Sequence, residues 1–344
     1  MKIGVDAGCL GGQKKQLKLG VYQTSFNLLR QLAKIDKKNE YFLYSFLPIE
    51  KAVMGQFGPR MKNIVVKPAF GWRYIGLPRK LFFQRNDLFL GLSQALPAWT
   101  FCPAVVIVYD LAFEHFPEFY PKHRRLGKVT RQAVKKAKKI IAVSQSTKKD
   151  LERIYNISSE KIKVVYEGYD RGLFKSGKKR KKKNFFLYVG ALKKSKNLPG
   201  LLAGFRFFLD EVNQNFRLIL AGSNLEANAE MRETIKKLRL EGQVEMKSYV
   251  QPRQLARLYQ EAMAFVSPSY WEGFGLPLLE AATSSCPVIA GKDGAAREVI
   301  GQAGMLVDPK NEREIGRAML RVVTDGALRQ KMISWGLRRA KRFS

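Results

Sequence analysis

The sequence predicts an α/β protein made of two Rossmann-like halves, each a parallel sheet with helices between its strands. Two observations carry this. Short β-branched runs alternate with longer segments whose apolar residues recur near every 3.6 positions. Most of the runs end in Gly, Ser or Asp, where turns and ligand loops gather in open sheets. A third observation, 344 residues with 46% apolar content, gives room for two cores and excludes disorder of the whole.

The elements follow in order. KIGVD reads as the first strand, and GVYQTSFNLLRQLAKI as a helix beginning near Val21. AVVIVYD is a further strand, then KKIIAVS, then the helical TKKDLERIY. The uncharged stretch Leu88 to Tyr109 is long enough to span a bilayer, but Gln94, Pro97 and Pro103 break it and it ends in strand chemistry. The pattern pauses at RGLFKSGKKRKKKN, a linker or hairpin rim, and resumes with NFFLYVG and a helix from about Asn197 to Glu211. FRLILAGS, a charged helix, VEMKSYV, AMAFVSPS, a helix after Pro277, PVIAG and GMLVDP complete the second series. The expected division is therefore 1–170, a basic linker 171–183, and 184–344, with the halves facing across a cleft.

The chain carries 62 Lys and Arg against 29 Asp and Glu, a net charge of +33. Such an excess calls for an acidic partner: a membrane surface, a polyphosphate or a nucleic acid. Residues 1–170 hold 30 basic and 13 acidic residues, 171–183 hold eight basic and no acidic ones, and 184–344 hold 24 and 16. Cys9, Cys102 and Cys286 lie far apart without C-x-x-C spacing, which supports neither a disulfide framework nor a zinc cage and fits a reducing cytosol. MKIGVDAGCLGG offers no apolar signal-peptide region.

Two motifs carry chemistry. In Ser267-Pro-Ser-Tyr-Trp-Glu-Gly-Phe-Gly-Leu-Pro-Leu-Leu-Glu280, Pro277 suits a first helical turn, so Glu272 falls in the loop before it and Glu280 in the opening turn. Amides from Gly273 to Leu276 at a helix start favour an anion, while two carboxylates can accept from sugar hydroxyls. A guest with both phosphate and hydroxyls suits the set; the plainer alternative is that Glu280 offsets the helix dipole and the glycines only turn the chain. In Tyr188-Val-Gly-Ala-Leu-Lys-Lys-Ser-Lys-Asn-Leu-Pro199, a strand ends at Gly190, Asn197 can cap a helix, and Lys196 sits beside its positive end, placed for a diphosphate. Lys193 and Lys194 assist there or are solvated. His115 and His123 are too few for a His-centred metal site or a Ser-His-Asp triad and read as surface or structural.

PSYWEGFGLPLLEA with its E-x7-E pair, YVGALKKSKNL, AVSQSTKKDL, KVVYEGYD, the opening KIGVDAGCL...LGVYQTSFNLL and the closing GMLVDP together resemble the family 4 glycosyltransferases of GT-B fold. The resemblance covers essentially the whole chain and is closest in character to bacterial mannosyltransferase-like members. It implies a retaining hexosyltransferase that takes its sugar from a nucleotide-diphosphate donor, needs no cofactor and no metal (no D-x-D occurs), and uses a front-face attack assisted by the departing phosphate. Carried over, the catalytic set is Glu272, on the donor sugar, Lys196, on the diphosphate, and Tyr109 with Asp110, which stand where the family often has His-Asp. The donor-binding set is Glu280, on the ribose, with Gly273, Phe274, Gly275, Leu276, Gly190, Lys193, Tyr249 and Gly20.

The chain departs from the family pattern at several places. Ala191 and Ser195 stand where an Arg is usual, Ser285 where Gly is common, and Arg297 where Pro often precedes Glu298. The family also continues past a segment like RRAKRFS with one more helix. These departures motivate an alternative, a degenerate GT-B domain acting as a binding subunit. The charge implies an acceptor that is lipid-linked or polysaccharide, and a peripheral position on the cytoplasmic face of an anionic membrane. Phe70 to Leu92 interleaves Trp72, Tyr74, Leu81, Phe82 and Phe83 with Arg73, Arg79, Lys80 and Arg85, which suits either an interfacial membrane contact or an amphipathic core helix. Lys122 to Lys139 reads as a second basic helix, charged widely around its axis. Nucleic-acid binding is the third reading, but no recognition helix, RNP motif or OB pattern accompanies the basic runs.

Overall fold

The computed structural model describes residues 1–12, 20–176, 181–222, 228–248 and 250–343. They form two units, Met1–Val165 and Tyr166–Ser344. Each is a parallel α/β domain, so the expected class, two Rossmann-like domains, is what the chain adopts.

In the first unit the elements run β1 (Lys2–Asp6), α1 (Val21–Ile35), β2 (Glu40–Ser45), α2 (Lys51–Met54), β3 (Met61–Val65), α3 (Gly76–Gln84), β4 (Leu88–Gly91), β5 (Ala104–Val108), α4 (Ala112–His115), α5 (His123–Lys136), β6 (Lys139–Ala142), α6 (Gln145–Tyr155) and β7 (Ile162–Val164). The sheet order is β3-β2-β1-β4-β5-β6-β7, all parallel. Parallel strands need crossovers and are covered on both faces, which is why they read as apolar runs rather than alternations. Chain order reverses between β1 and β4, and a crevice forms at such a switch point beyond the strand ends. There Asp6 is fully buried, accepting from the Arg73 Nε at 2.6 Å and the Gly8 N–H at 3.1 Å, and Arg73 also donates to Ser93 Oγ at 2.9 Å. A buried carboxylate is tolerable only when paired in this way.

The second unit runs β8 (Lys183–Val189), α7 (Leu198–Asp210), β9 (Arg217–Ala221), α8 (Ala229–Lys237), β10 (Val244–Lys247), α9 (Pro252–Glu261), β11 (Ala262–Ser267), α10 (Leu276–Thr283), β12 (Val288–Gly291), α11 (Ala296–Ile300), β13 (Gly304–Val307), α12 (Glu312–Thr324) and α13 (Gly326–Ala340). Its parallel sheet is ordered β10-β9-β8-β11-β12-β13, with the switch point between β8 and β11. Phe186 meets Phe208 edge-on at 5.0 Å, and Phe208 meets Phe216 in the same way, in a fully buried aromatic core. α7 lies against α12 through small residues: a Cβ on Gly204 would come 2.7 Å from Ile315.

The structure decides the ambiguous stretches. Leu88 to Tyr109 contains the two strands β4 and β5, and among the described residues no helix is long and apolar enough to cross a membrane. Lys122 to Lys139 is not charged all round, because α5 buries a narrow face of Gly127, Thr130, Ala133 and Val134. Phe70 to Leu92 is helical only over α3; Trp72, Leu77 and Leu81 turn inward while Tyr74, Phe82 and Phe83 stay in water. The basic run is partly structural, since the Lys182 Nζ is taken up by the Gln260 and Ser285 carbonyls at 3.0 and 2.8 Å, and Lys183 pairs with Glu261 at 2.7 Å.

Candidate active site

The loops that follow β8 and β11, the two strands flanking the switch point of the second unit, bring the two motifs together. After β8, Gly190 donates its N–H to the Ala221 carbonyl at 2.9 Å, and the chain enters a short 3₁₀ turn at Lys194–Lys196. Asn197 then adopts a left-handed conformation, φ +52°, and its side chain accepts from Gly200 N at the start of α7 while its amide donates to the Pro309 carbonyl. Asn is among the few non-glycine residues that tolerate this conformation, and its carbonyl oxygen caps the helix. This fixes the turn that carries Lys196.

After β11 the chain is held from both sides. Ser195, buried in the first loop, accepts the Tyr270 N–H at 2.9 Å, and the Glu272 carbonyl accepts from Ala295 N at 2.8 Å. Lys196 Nζ reaches both carboxylate oxygens of Glu272 at 2.7 Å, and Ser269 Oγ donates to one of them, also at 2.7 Å. Both partners of the pair are partly buried, with side-chain exposures of 23% and 16%, so their attraction is less screened than at the surface.

Between Glu272 and the helix, Gly275 takes φ +89°, a conformation that admits glycine readily, and it caps α10 without a side-chain hydrogen bond. The first N–H groups of a helix have no intrahelical partner. The Phe274 ring packs against Tyr166 and Phe343 within the unit.

Glu280 is not in the opening turn, as expected, but in the second one: α10 begins at Leu276 and has no acidic residue in its first turn. The earlier start weakens the dipole reading, which applies to the first turn. Instead Glu280 accepts from the Tyr259 hydroxyl at 3.2 Å, and burial pushes its carboxyl up to about 8 against that hydrogen bond. At the far end of the same helix, Ser285, where glycine is common, has φ +57°; the backbone asks for glycine there and the chain supplies serine.

The remaining positions fall elsewhere. Lys193 and Lys194 are exposed. Tyr249 and residues 13–19 of the Gly11 to Gly20 loop lie outside the described residues, while Gly20, φ +55°, caps α1. Tyr109 and Asp110 belong to the first unit. The Tyr109 hydroxyl donates to the Leu92 carbonyl at 3.0 Å, and Asp110 accepts from Ala112 N at 3.0 Å. His115 lies 3.0 Å from Asp150, and His123 meets the Tyr120 carbonyl. Ser269 and Tyr259, which hold the two glutamates, were not singled out from the sequence. Ser269 was visible inside the SPSYWE segment, but nothing local marks Tyr259.

A two-domain parallel α/β chain that gathers a lysine and two glutamates at a switch point beside a helix start has the architecture of the GT-B class. Residues 59–172 match the model of Glycosyltransferase Family 4 and residues 171–339 that of Glycosyl transferases group 1. The chain belongs to the family 4 glycosyltransferases, an enzyme family. It is 28% identical over 262 residues to O-antigen chain mannosyltransferase B of Escherichia coli, covering 70% of this chain and 66% of that one. It is 29% identical over 208 residues to O-antigen chain mannosyltransferase RfbU of Salmonella typhimurium, covering 60% and 57%. The matches thus span less than two thirds of these relatives' length. Among solved structures, Anabaena HepE in complex with UDP and glucose superposes with a TM-score of 0.77 at 19% identity, covering 100% of this chain and 95% of that one. WaaG, a glycosyltransferase involved in lipopolysaccharide biosynthesis, does so with 0.75 at 15%, covering 99% and 95%. These two likenesses establish the GT-B fold. The comparisons do not favour a binding subunit without turnover.

Proposed function

We propose that the protein transfers a hexose, mannose in the reading favoured by its mannosyltransferase relatives, from a nucleotide-diphosphate sugar to a lipid-linked or polysaccharide acceptor at a membrane surface, with retention of configuration. The observation that supports this best is the Lys196–Glu272 pair at the switch point, one loop from the start of α10. A donor would exchange the pair: its sugar hydroxyls take the Glu272 carboxylate, and its diphosphate takes the Lys196 ammonium together with the Phe274 to Leu276 amides. Glu280 would accept from the ribose hydroxyls. As the glycosidic bond of the donor breaks, negative charge grows on the leaving diphosphate, and a cation fixed in place stabilises that charge without reorganising.

The reading needs no nucleophilic side chain and no metal. A nucleotide-sugar donor also agrees with the complex of HepE with UDP-glucose, a structural neighbour. A thermal-shift panel of UDP-, GDP- and ADP-sugars tests it: one donor should raise the melting temperature well above the others, and a panel without any shift would overturn the reading.

A further inference from the structure

The first unit leaves a broad apolar surface open to water, remote in sequence from the motifs of the donor site. On α3, Leu77 and Leu81 point into the core, whereas Phe82 and Phe83 project outward, Phe83 with 73% of its surface exposed. The turn before the helix adds Tyr74 and Ile75, and the segment after β4 adds Trp99 and Phe101, all exposed. Phe82 packs edge-on against both Phe83 and Phe101 with centroids 5.3 Å apart, so the two segments form one continuous patch around a shallow groove of about 590 Å³. Phe70, 95% exposed, stands at the foot of the same turn. Single exposed apolar side chains are ordinary; a contiguous aromatic surface marks a binding face.

The surroundings of the patch indicate what covers it. Exposed Lys67, Arg79, Lys80 and Arg85 come from the same stretch of chain, and between residues 60 and 109 there are seven basic residues against one acidic one, Asp87. That single carboxylate is engaged with the Lys2 N–H at 2.7 Å. Trp and Tyr, with apolar rings and polar tips, favour the boundary between headgroups and acyl chains, and Lys and Arg beside them meet lipid phosphates. We propose that the α3 face, with Phe82, Phe83, Trp99 and Phe101 as its inserted side chains and Arg79 and Lys80 among its cations, is the surface by which the protein docks on an anionic bilayer. This deepens the membrane-surface part of the reading above and rests on it; donor binding in solution is measured independently.

Flotation with phosphatidylglycerol-rich vesicles and with pure phosphatidylcholine vesicles tests the assignment. The wild type should float with the anionic vesicles, and the Phe82→Ser/Phe83→Ser double variant should partition about tenfold or more less strongly. Arg79→Glu/Lys80→Glu should weaken binding most at low salt. Brominated acyl chains should quench the wild-type tryptophan fluorescence, and that quenching should disappear in Trp99→Phe. Because these side chains are exposed, the variants should keep the wild-type melting temperature and nucleotide-sugar shift, which separates lost docking from lost folding. Absence of flotation, flotation equal in the Phe82/Phe83 variant, quenching retained in Trp99→Phe, or a soluble dimer dissolved by those variants without vesicle binding would each overturn the proposal. Loss of vesicle binding with an intact donor shift would leave the donor reading standing.

Discussion

The bidentate contact of Lys196 with Glu272 places a positive charge where a diphosphate is expected, and among the described residues no second cation is paired with that carboxylate, Ser195 being buried and Lys193 and Lys194 exposed. Lys196→Ala should therefore lower turnover on the order of 10²–10³-fold, the cost of losing one preorganised donor, measured as donor-sugar transfer or hydrolysis at saturating donor. Glu280 gives a pH test. Burial raises its carboxyl from 4.5 to about 8, so the carboxyl is neutral in both states at low pH, and as pH rises the unfolded chain ionises first. Stability is lost between about pH 4.5 and 8, and Glu280→Gln should gain on the wild type across that window, by a few kcal/mol at its upper end, in melting curves without ligand. Glu272, Glu280 and Lys196 were legible because loop, helix and spacing are local properties. Their supports, Ser269 and Tyr259, depend on tertiary neighbours that no spacing encodes.

Element existence was readable from periodicity, since parallel strands buried on both faces are apolar throughout and their helices repeat near 3.6. Boundaries depended on backbone conformation. Asn197 ends one turn and begins α7 by taking φ +52°, and Gly275 starts α10 at Leu276, early enough to move Glu280 out of the first turn. Gly275→Ala would carry φ +89° and a Cβ 2.7 Å from Leu278, so a loss of about 1–3 kcal/mol in denaturant unfolding is expected, with weaker donor binding as the helix start shifts. The other end of α10 gives the opposite sign. Ser285 already bears φ +57°, and Ser285→Gly should stabilise the protein by about 0.5–1 kcal/mol, strain relieved being partly offset by the freedom of glycine in the unfolded chain. The α3 region was ambiguous in sequence because both readings hold: one side of the helix is core and the other is not.

Across the whole molecule, each unit has its own hydrophobic clusters, one around Phe186 in the second and two others around Val108 and Tyr44 in the first. The two motifs proposed to hold the donor, around Lys196 and Glu272, lie in the second unit. In calorimetry, a nucleotide-sugar at about 100 times its Kd should add about 2.7 kcal/mol to the stability of that unit and leave the first largely unmoved. The charge of +33, at first only a hint of an acidic partner, is not all free: Lys182 and Lys183 are consumed in tying β8 to the ends of α9 and α10. The salt bridge between Lys196 and Glu272 has a further consequence for turnover. In the proposed cycle the donor holds the two side chains apart by engaging both at once, whereas the spent nucleoside diphosphate offers nothing to Glu272. The carboxylate would then compete for the ammonium again, so re-forming the pair would act as a spring that recoils when the sugar leaves and favours release of the product.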